Sequence, residues 1–361
     1  MSTLRFGIIG TGLMGMEHIR HLLIMPGVQV AACADPDAGS RQTAAAALPQ
    51  ATRFFADYQQ LLDLPDIDAV IVATPNFTHA RVLDAVFASG KHVLVEKPMC
   101  TTMADVHAVA ARAATYSAVF WVGLEYRYSA PMQRLVQAVH SGDIGRLHML
   151  SIREHRNPFL TKVGDWNRFS RNTGGTLVEK CCHFFDLMRH IIQREPVRVY
   201  ASGAQGVNHL DERYNGETPD ILDNAFVIVD FEGGARASLD LCMFAEAGLN
   251  HEDIVAIGDK GKAQCLLPQG TVAIGDRASG QVQRLRVEMD AQLLRLGGHY
   301  GATFGELTRF CTAIRTGGQS EVGAADGLRS VAMGVAAQMS IEQGRAVLMS
   351  EVLSDELNEV M

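Results

Sequence analysis

The stretch that most restricts the fold is Gly10-Thr11-Gly12-Leu13-Met14-Gly15. An apolar run, Leu4 to Ile9, leads into it, and a helix-like pattern of apolar residues follows through Leu23. Strand, tight glycine turn and helix start, in that order, predict a dinucleotide site. Gly10 allows the turn, Gly12 lets the backbone approach a pyrophosphate, and Gly15 lets helix and strand pack closely. The helix N-terminus offers free N–H groups and the positive end of its dipole to the phosphates. Glycines at this spacing also serve turns for purely steric reasons. The strand before and the helix after favour the dinucleotide.

A second apolar run, Val28 to Ala34, ends in Asp35-Pro36-Asp37. Asp35 lies 20 residues beyond Gly15. A carboxylate there can accept from the adenosine ribose hydroxyls and repel a 2′-phosphate, which favours NAD over NADP. An Asp before a helix also serves as an N-cap, and Asp35 and Asp37 can share the two roles. Ser40 and Arg41 sit close enough to keep NADP as the minority option. Helices are expected over 37–48, 57–62, 76–89 and 101–115, and strands over 69–73, 92–96 and 118–122. Gly90 stands where a helix-closing glycine belongs. This alternation predicts a parallel, doubly wound α/β sheet. Ligands of such sheets bind beyond the carboxyl ends of the strands. Gly10, Asp35, Ala73-Thr74-Pro75 and Glu96-Lys97-Pro98 should therefore meet around one ligand. Pro98 favours an extended residue before it, so Lys97 starts a loop where the nicotinamide should lie. Its position alone fits a lysine paired with Glu96 or a catalytic one.

Beyond Gly123 the pattern changes. A helix over 131–141 precedes strand-like segments at 147–153, 197–204, 225–231, 235–241, 253–258, 261–267, 271–274 and 283–287. Turn signals such as Glu232-Gly233-Gly234 separate them, and short loops imply antiparallel neighbours. Helices over about 299–316 and 326–344 close the chain. A length of 361 residues fits two domains, a Rossmann domain over 1–123 and a substrate-binding α/β domain over 124–361.

Gly174-Gly175 open a helical run in which Glu179, His183, Asp186 and His190 fall on one polar stripe. Such a stripe reads as a solvated face, as a Glu-x-x-x-His metal pair, or as a general base with a carboxylate one turn away. His190 is two turns past His183 and no third ligand is obvious, so no metal is expected. Tyr126, Arg127, His155, Arg156 and Trp166 are further candidates to line a sugar site. Rim salt bridges and a core tryptophan would account for them equally well.

The net charge of −8 argues against a nucleic-acid partner, and no apolar run approaches a membrane span. Seven scattered cysteines without zinc-finger spacing fit free thiols in a reducing cytoplasm. Met1-Ser2-Thr3-Leu4-Arg5 leads straight into the first strand, so no signal peptide is expected.

Gly10-x-Gly12-x-x-Gly15, Asp35, Ala73-Thr74-Pro75-Asn76-x-x-His79 and Glu96-Lys97-Pro98 resemble, in order and spacing, the glucose–fructose oxidoreductase / inositol dehydrogenase / MocA family. The resemblance implies a Rossmann domain followed by an α/β domain on a large, open, mainly antiparallel sheet. It also implies NAD(P)-dependent oxidation of a sugar or cyclic polyol. Lys97 then hydrogen-bonds the reacting hydroxyl, His183 acts as the base and Glu179 supports it. Cofactor contacts would extend from Gly10 through Gly15 to Asp35, Thr74, Pro75, Asn76, His79, Glu96 and Lys97. Lys97, Glu179 and His183 would also contact substrate. Glu179 stands where the family usually has Asp, and Cys181 replaces a customary glycine. These departures leave open a redox-neutral sugar-modifying enzyme with tightly held NAD, and a non-catalytic NAD-binding sensor remains a further alternative. The open sheet implies a homodimer or homotetramer.

Overall fold

Residues 3–353 are described by a computed structural model. The first part alternates β1 (Leu4–Ile9), α1 (Leu13–Ile24), β2 (Val28–Ala34), α2 (Ala38–Ala47), β3 (Arg53–Phe55), α3 (Tyr58–Leu62), β4 (Ala69–Val72), α4 (His79–Ser89), β5 (His92–Glu96), α5 (Met103–Ala113) and β6 (Phe120–Gly123). All of β4 is buried, as are the last four residues of β5. Strands apolar on both faces need a helix layer on each side, which the crossover helices supply. The strands pair in parallel in the order β3-β2-β1-β4-β5-β6. The order reverses between β1 and β4, which opens a crevice at their carboxyl ends. Strand β3 is a sheet edge that the sequence reading lacked; three residues carry no readable periodicity.

The second part comprises α6 (Ala130–His140), β7 (Leu147–His155), α7 (Ser170–Thr173), α8 (Thr176–Glu179), α9 (Cys182–Ile192), β8 (Pro196–Ala204), β9 (Asn224–Phe231), β10 (Arg236–Cys242), β11 (Glu252–Gly258), β12 (Gly261–Leu267), β13 (Thr271–Asp276), β14 (Val282–Arg286), α10 (Ala302–Thr316), α11 (Ala324–Gln343) and β15 (Val347–Leu348). Nine strands form a sheet in the order β14-β13-β12-β11-β7-β10-β9-β8-β15. Every pair is antiparallel except β7 with β10, which are far apart in the chain. Helices α6, α9 and α11 pack on one face. Along β9, Ala225, Val227, Val229 and Phe231 are buried, whereas Phe226 and Ile228 stand exposed on the other face.

The helical run expected after Gly174-Gly175 is broken. Helix α8 stops at Glu179, α9 begins at Cys182, and the amide of Cys181 reaches back to the Thr176 carbonyl five residues earlier. The C-terminal helices return to the first sheet: Phe310 of α10 meets Phe6 and Trp121 edge-on, and the Val122 amide donates to the Val322 carbonyl at 3.0 Å. The two sheets divide at Gly123, but α10 packs across that division. No helix among the described residues is long and apolar enough to cross a membrane.

Candidate active site

A cleft of about 650 Å³ opens at the carboxyl ends of β1, β2, β4 and β5. Gly10 through Met14, Asp35, Thr74, Pro75, Asn76, Glu96 and Lys97 line it. Gly10 has a φ of +93°, and a Cβ there would lie 2.5 Å from the Ala73 carbonyl oxygen. A Cβ on Gly15 would lie 2.0 Å from the Gly10 carbonyl oxygen, so helix α1 can press onto the turn only without a side chain. No heavy atom comes within 4 Å of where a Cβ on Gly12 would sit. That open backbone at a helix N-terminus fits a pyrophosphate.

The two acids after β2 divide the roles open to them. Asp37 caps α2, accepting from the Ser40 amide at 2.7 Å. Asp35 turns back to the glycine loop, where Oδ2 accepts from the Thr11 amide at 2.7 Å and the Thr11 hydroxyl at 3.2 Å. Arg41 donates to the carbonyls of Asp35 and Pro36, so its guanidinium is engaged with the backbone below the loop. His79 has a different place from the one the motif implied. It is wholly buried, with ring nitrogens 2.9 Å from the Pro98 carbonyl and 3.0 Å from that of Thr74. It ties two cleft-lining loops together rather than facing the cleft.

Lys97 lies at the inner end of the cleft, and its Nζ donates to the Glu179 carbonyl at 3.1 Å. Burial works against its charge, but Cys182, Glu179, Glu96 and Glu125 outweigh it and hold its pKa above the ordinary lysine value. Cys182 is itself pushed up to about 12 by burial, so at neutral pH the carboxylates are the partners that count. Lys97 is therefore a cation poised to donate. Glu96 meets His18 of α1 at 2.7 Å.

His183 comes from the second part of the chain, in the first turn of α9, and is 2 % exposed. The Tyr126 ring stacks on it at 4.3 Å with planes 8° apart. Burial, then the cations Lys97, Lys180, His299 and Arg156, hold its pKa well below the usual histidine value, so the imidazole is neutral. Its Nε2 faces Glu125 Oε1 at 3.7 Å, and its Nδ1 is buried without a hydrogen-bond partner among the described residues.

The carboxylate beside His183 is thus Glu125, not Glu179. Glu179 directs Oε1 to Lys162 Nζ at 3.3 Å, because the break between α8 and α9 undoes the four-residue spacing that would have stacked it under His183. Lys162 in turn lies 4.5 Å over the Trp166 ring, and both line the cleft. The rest of the polar stripe is not a solvated face: Asp186 is buried against Arg127, and the His190 ring packs near that of His140. Arg127 accordingly leaves the substrate candidates. Its guanidinium is locked between Asp186 and Asp326.

His155 also leaves the candidates. Side chains alternate along β7, and His155 points to the open face, where it meets Asp240 at 3.1 Å. Its neighbour Glu154 points inward and holds Lys180 Nζ at 3.0 Å. Lys180 also donates to the Tyr126 hydroxyl at 2.9 Å. Glu252 pairs with Glu154 across β11 and β7, and burial with the Glu154 charge pushes its pKa to about 8. Arg156 lies 3.6 Å from Glu154. The sequence reading preferred Tyr126, Arg127, His155 and Arg156 to their neighbours Glu125 and Glu154, and it missed Lys162, Lys180, Glu252 and His299. Strand parity at Glu154 was the one local signal available; the others are assembled by the tertiary fold. Among the described residues, no three His, Cys, Asp or Glu side chains gather to hold a metal ion.

Two family models cover most of the chain: the oxidoreductase family, NAD-binding Rossmann fold, over residues 4–124, and the oxidoreductase family, C-terminal alpha/beta domain, over residues 136–349. The chain is 27% identical to a myo-inositol 2-dehydrogenase of Thermotoga maritima over 97% of its own length and 100% of that protein. It is 31% identical to inositol 2-dehydrogenase 2 of Saccharopolyspora erythraea over 69% of each chain. Among solved structures, a probable dehydrogenase from Thermotoga maritima superposes with a TM-score of 0.79 at 26% identity, covering 97% of this chain and 100% of that one.

Proposed function

The chain belongs to the Gfo/Idh/MocA oxidoreductase family, a premise from which we propose that it is an NAD-dependent dehydrogenase acting on a secondary hydroxyl of a cyclic polyol or pyranose. The observation that carries this reading is a cationic Lys97 lining the cofactor cleft whose charge helps keep a buried His183 neutral. The names of the inositol dehydrogenase relatives support the polyol. The division of work between residues 1–123, which hold cofactor, and 124–361, which shape the substrate site, is part of the same proposal.

Bound NAD supplies the hydride acceptor. Lys97 donates a hydrogen bond to the reacting oxygen and steadies negative charge as it develops there, which is where preorganised charge contributes most to rate. His183 accepts the hydroxyl proton. Tyr126 fixes the plane of its ring. Glu179 orients through Lys162, and Trp166 offers an aromatic face beside the cleft. Lys180 and Glu154, both buried, with the half-buried Arg156 beside them, offer polar groups suited to further hydroxyls.

NAD over NADP is supported by the Asp35 carboxylate on the glycine loop, which would repel a 2′-phosphate, and by Arg41 donating to backbone carbonyls. Exposed Phe226, Ile228, Tyr200 and Met149 on the uncovered sheet face support assembly through that face. The charge balance and the absence of an apolar run long enough to span a membrane favour a cytoplasmic enzyme without nucleic-acid or membrane partners.

The test is a panel of inositols, aldoses and glycosides with NAD or NADP, followed by nicotinamide absorbance. The reading predicts reduction of NAD by at least one cyclic polyol or pyranose, with slower reduction of NADP. Reduction by none of them would overturn it.

A further inference from the structure

Behind His183 a line of buried groups leads away from the reacting hydroxyl and reaches the surface. His183 Nε2 lies 3.7 Å from Glu125 Oε1, and His299 Nε2 lies 3.7 Å from that same oxygen. On its other side, His299 Nδ1 is 2.8 Å from Glu17 Oε1, which also accepts from the Thr303 hydroxyl at 2.9 Å. Among the described residues, both oxygens of Glu125 are buried without a hydrogen-bond partner, an unfavourable state for a structural carboxylate. The Glu125 and His183 side chains are 3 % and 2 % exposed, whereas that of His299 is 22 % exposed. The line thus begins in a sealed site and ends at solvent. Its elements come from both parts of the chain: Glu17 from α1, Glu125 from the turn after β6, His183 from α9 and His299 from the segment before α10. A Cβ on Gly297 would lie 2.2 Å from Glu17 Cδ, so this segment packs directly on Glu17.

We propose that Glu125 and His299 form a proton relay that carries the substrate's hydroxyl proton from His183 to solvent, with Glu17 as the positioning residue for His299. The inference rests on the dehydrogenase reading. The alcohol carbon gives its hydride to the nicotinamide, and the hydroxyl oxygen gives its proton to His183 Nε2, the ring nitrogen that faces Glu125. Nε2 hands that proton to Glu125, and Glu125 passes it to His299 as His299 releases its own proton to water. Alcohol and oxidised cofactor become carbonyl and reduced cofactor, and one proton enters the solvent. Handing the proton on keeps a charge of +1 from staying on His183, where burial, Lys97, Lys180, His299 and Arg156 oppose it.

The titratable groups acting on or facing Glu125 are His183 and Cys182 of α9, His299, Tyr126, Glu306 of α10, and Glu96 and Lys97 at the end of β5. Burial chiefly, with Glu96, pushes its pKa to about 7 against the pull of His299 and Lys97. Below that pH Glu125 is already protonated and cannot accept. Oxidative turnover should therefore rise with pH through about 7.

The test compares Glu125→Gln, His299→Gln and His299→Ala with the wild type, using NAD and a cyclic polyol oxidised by the wild type. Reduced cofactor and proton release are followed together after rapid mixing. The relay predicts that kcat falls roughly 10²-fold in Glu125→Gln, with little change in KM or NAD affinity and with loss of the rise near pH 7. It predicts the same direction for His299→Gln, and saturable recovery of His299→Ala by added imidazole. Wild-type turnover and an unchanged pH profile in Glu125→Gln and His299→Gln would overturn the relay. A rise in KM alone would overturn it too, making Glu125 a substrate-binding group. If the wild type reduces NAD with no substrate in the panel, the dehydrogenase reading itself fails, an outcome distinct from the other two.

Discussion

Lys97 and His183 have opposite charge states for opposite reasons. Three carboxylates keep the buried lysine charged, while burial and neighbouring cations keep the histidine neutral. The same competition acts at Glu252, whose pKa is about 8 in the folded protein and 4.5 in the ordinary state. The folded state then holds a proton that the unfolded state has already lost, so stability falls as pH rises from about 4.5 to about 8. Glu252→Gln removes this dependence. Its melting temperature relative to wild type should climb across that window and level off above it, as differential scanning fluorimetry can measure. At Asp35, replacement by Ala removes both the acceptor and the repulsion. KM for NAD should rise roughly tenfold, and the preference over NADP should shrink in steady-state assays. Lys97 was legible because Pro98 and the strand end fixed its place. Glu125 was not, because its partners, His183 and His299, lie far along the chain. His155 and Glu154 differ only in strand parity, and the polar residue nearer the expected site in type was the one on the wrong face.

At the scale of elements, the glycine turn couples β1 to α1 through contacts that leave no room for a side chain. Gly15→Ala would place a Cβ 2.0 Å from the Gly10 carbonyl oxygen. The turn or α1 must shift, so NAD affinity should fall at least tenfold and the melting temperature should drop; titration calorimetry and fluorimetry check both. The alternation of apolar strand and helix made the first sheet readable, including the order of its ligand-bearing ends. The polar stripe over Glu179 to His190 was readable only as a continuous helix. Nothing in its spacing marks the break at Lys180-Cys181, and that break sends Glu179 to Lys162 and leaves His183 to Glu125.

For the whole molecule, among the described residues, the nine-stranded sheet keeps one face free of helices and presents Phe226 and Ile228 there, 67% and 50% exposed. Apolar side chains of that size favour a covering partner, and a second copy of the chain is the proposed one. The double substitution Phe226→Asp and Ile228→Asp should lower the mass seen by analytical ultracentrifugation and leave the cofactor cleft intact; an unchanged mass would remove this face as the contact. The return of α10 to Phe6 and Trp121 joins the cofactor sheet to the segment that carries His299, so the site is assembled by both ends of the chain. The most direct measurement on that assembly is Lys97→Met beside the wild type, with NAD affinity and oxidative turnover determined on the same preparations. The account predicts that turnover falls about 10³-fold while NAD affinity changes little. Undiminished turnover in Lys97→Met would contradict it.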